Sequence, residues 1–342
     1  MEIGIYTFAD VAAGHPELAG LRLRNLVEEM ELADQVGLDV FAIGEHHRAD
    51  YAVSSPAVAL AAGASRTRRI KLSSAVTVLS SDDPVRVFQQ FATLDGLSNG
   101  RAEIMAGRGS FIESYPLFGY DLEDYDQLFG EKLDLLMKLR QGTHISWQGR
   151  MRSSLDNAGI FPRPEQSQLP IWIAVGGTPQ SVVRAATLDL PMALAIIGGD
   201  PKRFAPFYNL YRETHGKAGH VPKSIQLSLN MHGFVAETTA HAKDIYHAAH
   251  TEVMNRIGRE RGWPPQGRAQ FDAACGPSGN LIVGDPAHVA ARLLELHHIF
   301  GNTRILIQMA IGTVPHLAQM KAIELLGTKV VPLVKAGLRE AA

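Results

Sequence analysis

The densest group of proton-handling side chains in the chain is Glu45-His46-His47. Imidazole exchanges protons near neutral pH, so a histidine beside a carboxylate suits a general acid or base. A lone histidine is more often a hydrogen-bonded structural residue. Two adjacent histidines and a carboxylate at the end of the short apolar run 40–43 point to catalysis instead. Neighbours on an extended strand face opposite sides, so His46 and His47 do not easily share a metal ion, and no metal is expected. A second segment, Val175-Gly176-Gly177-Thr178-Pro179, has the chemistry of an anion site. Thr178 reads as an N-cap and Pro179 as the first helical residue, while the glycines let a ligand approach the backbone. The free N–H groups and helix dipole then favour a phosphate. A cap without a ligand explains that segment equally well by itself. Arg108, which could add a bidentate contact, tips the reading to phosphate. Barrel phosphate sites more often follow the seventh and eighth strands, whereas this one follows the fifth.

Other polar groups read as structural. Asp82-Asp83-Pro84 caps a helix and Asn99-Gly100 is a turn. His241, His247 and His250 fit a solvated helix face, and His297-His298 a surface turn before the last strand. Phe88, Phe91 and Met137 fit core packing.

The elements that must position these residues alternate. Apolar strand-like runs at 3–8, 40–43, 70–79, 102–105, 171–175, 192–197, 225–235 and 304–309 are each followed by a helical pattern: 17–36, 56–65, 84–97, 125–139, 179–188, 203–215, 240–257 and 315–333. Eight units of strand and helix predict a closed (β/α)8 TIM barrel in one α/β domain, 1–342; an open doubly wound sheet usually has fewer strands. Two insertions break the rhythm: 142–170, expected to be a hairpin, and 258–280, a long Gly- and Pro-containing loop before strand eight. Barrel active sites gather at strand C-terminal ends. That selects Thr7 and Phe8, Glu45 to His47, Ala75 and Val76, Arg108, and the 175–178 turn.

Composition excludes several classes. The 342 residues are 46% hydrophobic, enough for a large core, and 33 Lys+Arg against 35 Asp+Glu leave a formal charge of -2 with no basic stripe for nucleic acid. A lone cysteine, Cys275, closes no intrachain disulfide. No apolar run is long enough to span a bilayer and the N-terminus lacks a basic segment before an apolar one, so a cytoplasmic protein is expected.

Taken together, these motifs resemble the bacterial-luciferase-like flavin-dependent monooxygenases. Phe41-Ala42-Ile43-Gly44-Glu45-His46-His47 is similar to that family's Glu-His-His signature. The resemblance continues through Ala75-Val76-Thr77-Val78-Leu79, Asp83-Pro84-Val85-Arg86, the 94–101 segment leading to Gly107-Arg108-Gly109, the 170–179 segment, and Val283-Gly284-Asp285-Pro286. It implies a (β/α)8 barrel binding reduced FMN, or the deazaflavin F420 as in some relatives. It implies a non-proline cis peptide at Ala75–Val76 behind the isoalloxazine ring, a flavin phosphate held by Arg108 and the turn of Val175, Gly176, Gly177 and Thr178, and His46 as catalytic histidine. The 258–280 segment matches a mobile lid. The reaction implied is oxygenation of a small organic substrate by O2 through a C4a-hydroperoxyflavin, with reduced FMN supplied by a separate NAD(P)H flavin reductase and the chain acting as a homodimer packed through its early helices. Two alternatives are F420-dependent hydride transfer and a non-catalytic flavin-binding subunit; retention of His46, Arg108 and the glycine turn argues against the second. Gly107 stands where the luciferase chain has a cysteine. Light emission is therefore not implied, and Gly107 leaves room for a different substrate.

Overall fold

The computed structural model describes residues 1–340, so the last two residues of the expected 1–342 domain lie outside the described residues. In chain order it runs β1 (Glu2–Thr7), α1 (Ala19–Gln35), β2 (Val40–Ile43), α2 (Pro56–Ala64), β3 (Lys71–Ser74), β4 (Thr77–Val78), α3 (Pro84–Ser98), β5 (Ala102–Gly107), α4 (Ser114–Leu117), α5 (Tyr125–Gln141), β6 (His144–Trp147) and β7 (Leu155–Gly159). It continues through β8 (Ile171–Val175), α6 (Pro179–Thr187), β9 (Met192–Ile196), α7 (Ala205–Lys217), β10 (Leu227–Val235), α8 (Thr239–Arg261), α9 (Arg268–Ala274), β11 (Ile282–Gly284), α10 (Pro286–Phe300), β12 (Arg304–Gln308), α11 (His316–Leu325) and α12 (Val331–Glu340).

Eight strands pair in parallel in the order β1, β2, β3, β5, β8, β9, β10, β12, and β12 returns to β1, so the sheet closes as a (β/α)8 barrel. The strands are buried on both faces because helices cover the outside while side chains fill the inside. Tyr6, Met105, Trp172 and Leu306 belong to that interior cluster. At Gly4 neighbouring strands come too close for a side chain: a Cβ there would lie 2.2 Å from the Val40 carbonyl oxygen. Arg304, 1% exposed, closes the N-terminal end of the barrel. It donates to both Glu103 carboxylate oxygens at 2.6 and 3.0 Å and to Glu2 at 2.7 Å, and it lies over the Trp172 ring. The opposite end stays open.

Several boundaries differ from the sequence reading. The expected strand 70–79 is interrupted by a cis peptide at Ala75–Val76, and only Thr77–Val78 resumes pairing, with β5. The segment 258–280 is not one loop: α8 extends to Arg261, and α9 docks the buried Phe271. Between that segment and β12, β11 extends the C-terminal end of β10 and α10 follows, both absent from the sequence reading. The last helical pattern is broken by a π-turn, 326–330. His297 and His298 sit in the final turn of α10, not in a surface turn. Asp83 does cap α3, accepting from the Val85 and Arg86 amides.

Candidate active site

The open barrel end leads into a cavity of about 420 Å³, within the usual range for a small-molecule site. Its walls come from the strand ends and the loops after them. Phe8, Glu45, His46, Ala75, Val76, Arg108, Val175, Gly176 and Thr178 all line it. Thr7, His47 and Gly177 do not. The Thr7 hydroxyl instead accepts from the Ala9 amide at 2.9 Å, shaping the turn after β1. Gly177 is the pivot of its turn, with φ +112, a conformation that favours glycine.

His46 and His47 point to opposite sides, as extended neighbours must. The His47 Nε2 lies 3.1 Å from Glu45 Oε1, and the other Glu45 oxygen accepts from the Val78 amide. The Glu45 hydrogen bond and charge hold the His47 imidazolium above the ordinary histidine range. Glu45 therefore ties the β2 end to the residues just past the cis peptide, and His47 balances its charge from behind the wall.

His46 is 7% exposed and held between the rings of Phe8, Tyr51 and Phe111, with centroids 4.8, 4.4 and 4.7 Å away. Its Nδ1 lies 3.3 Å from Glu113 Oε1, which also accepts from the His47 amide at 3.4 Å. Burial pushes the Glu113 carboxyl up, but the His46 contact and backbone amides outweigh it and leave it below the ordinary carboxylate range. A carboxylate only accepts, so Nδ1 carries the proton towards Glu113 and the Nε2 lone pair is left for the cavity. No described residue hydrogen-bonds that Nε2.

At the far wall, Arg108 meets the glycine turn. Its Nη2 donates to Thr178 Oγ1 at 3.2 Å and Ser181 Oγ at 3.3 Å, and its guanidinium lies over the Tyr125 ring. The Thr178 hydroxyl turns to Ser181 and Arg108 and caps no amide of α6; Pro179 has no N–H and the Ser181 amide donates to the Thr178 carbonyl at 3.1 Å, which leaves the Gln180 amide without a side-chain cap. A Cβ on Gly176 or Gly177 would meet nothing within 4 Å. The remaining Arg108 contact, 2.6 Å to the exposed Asp126, is a surface ion pair of small net worth that an incoming anion can replace.

Gly107 does not open space for a substrate: a Cβ there would lie 2.8 Å from Val76 Cγ2, so the room belongs to Val76. The end of α8 covers the mouth. Arg261 donates to the Ser110 carbonyl and lies over Phe111 and Trp263, while Glu260 pairs with Arg48 at 2.6 and 2.8 Å. Of the α8 histidines only His241 is solvated; His247 and His250 are not. His250 is buried and its Nε2 lies 3.3 Å from Nδ1 of His232, a cavity residue on β10; His247 packs on Phe271.

Three cavity or supporting residues escaped the sequence reading: Asp10, Glu113 and His232. Asp10 lies two residues past Phe8, so extending the same strand-end rule would have found it. Glu113 and His232 carry no such local signal. Among the described residues no three His, Cys, Asp or Glu side chains gather as metal ligands, and no helix is long and apolar enough to cross a membrane.

Known proteins resemble this chain in sequence and fold. The family described as luciferase-like monooxygenase matches residues 1–303. The protein y4wF of Sinorhizobium fredii is 29% identical over 293 residues, 83% of this chain and 84% of its own. An F420-dependent glucose-6-phosphate dehydrogenase of Amycolatopsis mediterranei is 31% identical over 163 residues, 45% of this chain and 48% of its own. Among solved structures, the oxygenating constituent of 3,6-diketocamphane monooxygenase from Pseudomonas putida, a type II Baeyer-Villiger monooxygenase in complex with FMN, superposes with a TM-score of 0.80 at 17% identity over 98% of both chains. With the family matched across most of its length and a closed barrel beneath the cavity, this chain belongs to the luciferase-like monooxygenases.

Proposed function

We propose that the cavity binds reduced FMN and that the chain is an FMN-dependent monooxygenase acting on a small organic substrate. The observation that carries this is the convergence of Arg108, Thr178 and Ser181 on the open N-terminus of α6, a pre-formed anion site at one end of a largely apolar cavity. A phosphate there would accept from the guanidinium, the two hydroxyls and the uncapped Gln180 amide. Ala75 and Val76 offer the wall against which a planar ring would lie. When bound, the reduced flavin supplies two electrons to O2, so that one oxygen atom enters the substrate and the other leaves as water.

The protein's own part is orientation, shielding and proton handling. Nε2 of His46 accepts or returns a proton at the cavity wall, and Glu113 stabilises the imidazolium that results. Arg261, Trp263 and the Arg48–Glu260 pair keep bulk water from the mouth. As the family resemblance implies, a separate NAD(P)H flavin reductase supplies the reduced FMN. The chain works as a homodimer, a reading supported by the apolar groove of α2 and α3.

Anaerobic titration with reduced FMN and with F420 tests the reading. Reduced FMN should bind, and Arg108→Ala should weaken it by about ten-fold or more, the loss expected for a charge-assisted contact. Single turnover with ¹⁸O2 should then place label in the product. Preference for F420 with no label incorporated would replace this reading by hydride transfer, the chemistry that the F420-dependent relative's name suggests.

A further inference from the structure

Asp10 is 4% exposed, lines the cavity, and has no hydrogen bond to either carboxyl oxygen. Its backbone position, by contrast, is fixed by its neighbours. It forms a bridge with Tyr51, flanked by bonds from the Val11 amide to the Asp50 carbonyl and from the Ala52 amide to the Ala9 carbonyl. The turn that delivers it passes through Ala9 at φ +54, a backbone state a non-glycine residue rarely adopts. The chain thus holds this side chain firmly while leaving it unpaired.

The surroundings do not supply a partner. Burial raises the Asp10 carboxyl; the Gly312 amide and the charges of Arg22, Arg256 and His46 only temper that effect. Arg22 is committed to Glu29 at 2.9 Å; Arg256 forms an ion pair with Asp50 at 3.0 Å, its Nε and Nη2 making no hydrogen bond, and the Gly312 amide falls short of one to Asp10. A second acceptor on the cavity wall, Gln308 Oε1, is likewise buried without a partner. An unsatisfied buried polar group costs about 1–3 kcal/mol, so a fold that keeps two facing one cavity is explained by a ligand that completes them. Beside them, Val253, Met254, Ile257 and Ile311 form an apolar wall.

We infer that Asp10 is the recognition group for the organic substrate, which carries a hydrogen-bond-donating head, an amine or an alcohol, on an apolar body lying along α8. The inference rests on reading the cavity as the oxygenating site, since it assigns the space that the flavin leaves. Asp10 grips the head, and the body meets Met254 and Ile257.

The protein reconstituted with oxidised FMN is titrated with 1-hexylamine, 1-hexanol and 2-hexanone, following the flavin absorbance and, in parallel, heat by calorimetry. The amine and the alcohol bind; 2-hexanone, which only accepts, binds at least about ten-fold more weakly, the effect of one unmade hydrogen bond. Asp10→Leu weakens both donors by about ten-fold or more, and Asp10→Asn weakens the amine but keeps the alcohol within about three-fold, because an amide still accepts but carries no charge. FMN affinity is unchanged in both variants. The melting temperature of Asp10→Leu stays level or rises, since an unpaired buried carboxyl is removed; a structural Asp10 would make it fall. Wild-type affinity of Asp10→Leu for both donors, equal binding of the ketone, or a clear drop in melting temperature overturns the inference. If the wild-type protein takes up neither oxidised nor reduced FMN but the apo protein still shows these differences by calorimetry, the proposed cofactor is wrong and the role of Asp10 stands.

Discussion

At Gly107 the space that a side chain would take is already filled. Both Val76 methyl carbons lie within 3.0 Å of a Cβ built there, and Val76 is wedged beside the cis peptide at the cavity wall. Gly107→Ala must push Val76 into the cavity. We expect a loss of about 1–3 kcal/mol in urea unfolding, as for other overpacked sites, together with weaker cofactor uptake. An unchanged midpoint and unchanged uptake would show that Val76 turns aside freely. At this scale the residue types were legible: Glu45, His46, Arg108 and Thr178 all reach the site. What the types did not tell was their division of labour. His47 works behind the wall, and Glu113, 67 residues from His46, orients it.

Helix α8 shows how an element changes meaning once it is packed. The i, i+3 spacing of His247 and His250 reads as a polar face, but β10 presents His232 to that face and α9 covers it with Phe271. Burial pushes His232 down to about 4 and His250 to about 3. Both are neutral in the folded protein at any pH above that, while an unfolded histidine titrates near about 6.5. Below about 6.5 the unfolded chain therefore binds more protons than the folded one. Their stabilising effect is complete above that pH and drains away as pH falls towards 4, at up to about 1.4 kcal/mol per pH unit for each imidazole. Denaturant unfolding between pH 7 and pH 4.5 should show this slope, and His250→Leu should flatten it. Equal slopes for wild type and variant would mean that the pair does not titrate on unfolding.

At the scale of the whole molecule, an apolar groove runs along α2 and α3, away from the cavity. Val58 is 67% exposed, Leu97 62% and Phe161 56%, and all three line it. Large apolar side chains clustered on a surface mark a contact region. For the homodimer proposed above, light scattering should give twice the chain mass, and Leu97→Glu with Val58→Glu should give the single-chain mass while flavin affinity is retained. A wild-type protein that runs as one chain at micromolar concentration rejects the dimer. The barrel itself does not depend on that groove: it is sealed at its base by Arg304, which reaches Glu103 across 201 residues of sequence.

The alternation of short apolar runs with helical patterns, the Asp83 cap and the strand-end positions of Phe8, His46 and Arg108 follow from periodicity and local backbone chemistry, which a linear chain displays directly. Closure of the sheet, the helices α9 and α10 within short or Gly-rich stretches, and the partners of each buried polar group were decided only in three dimensions. Periodicity says which face of an element avoids water; it does not say what stands opposite. Whether a histidine meets another histidine, or a carboxylate meets nothing, depends on contacts between segments that lie tens or hundreds of residues apart.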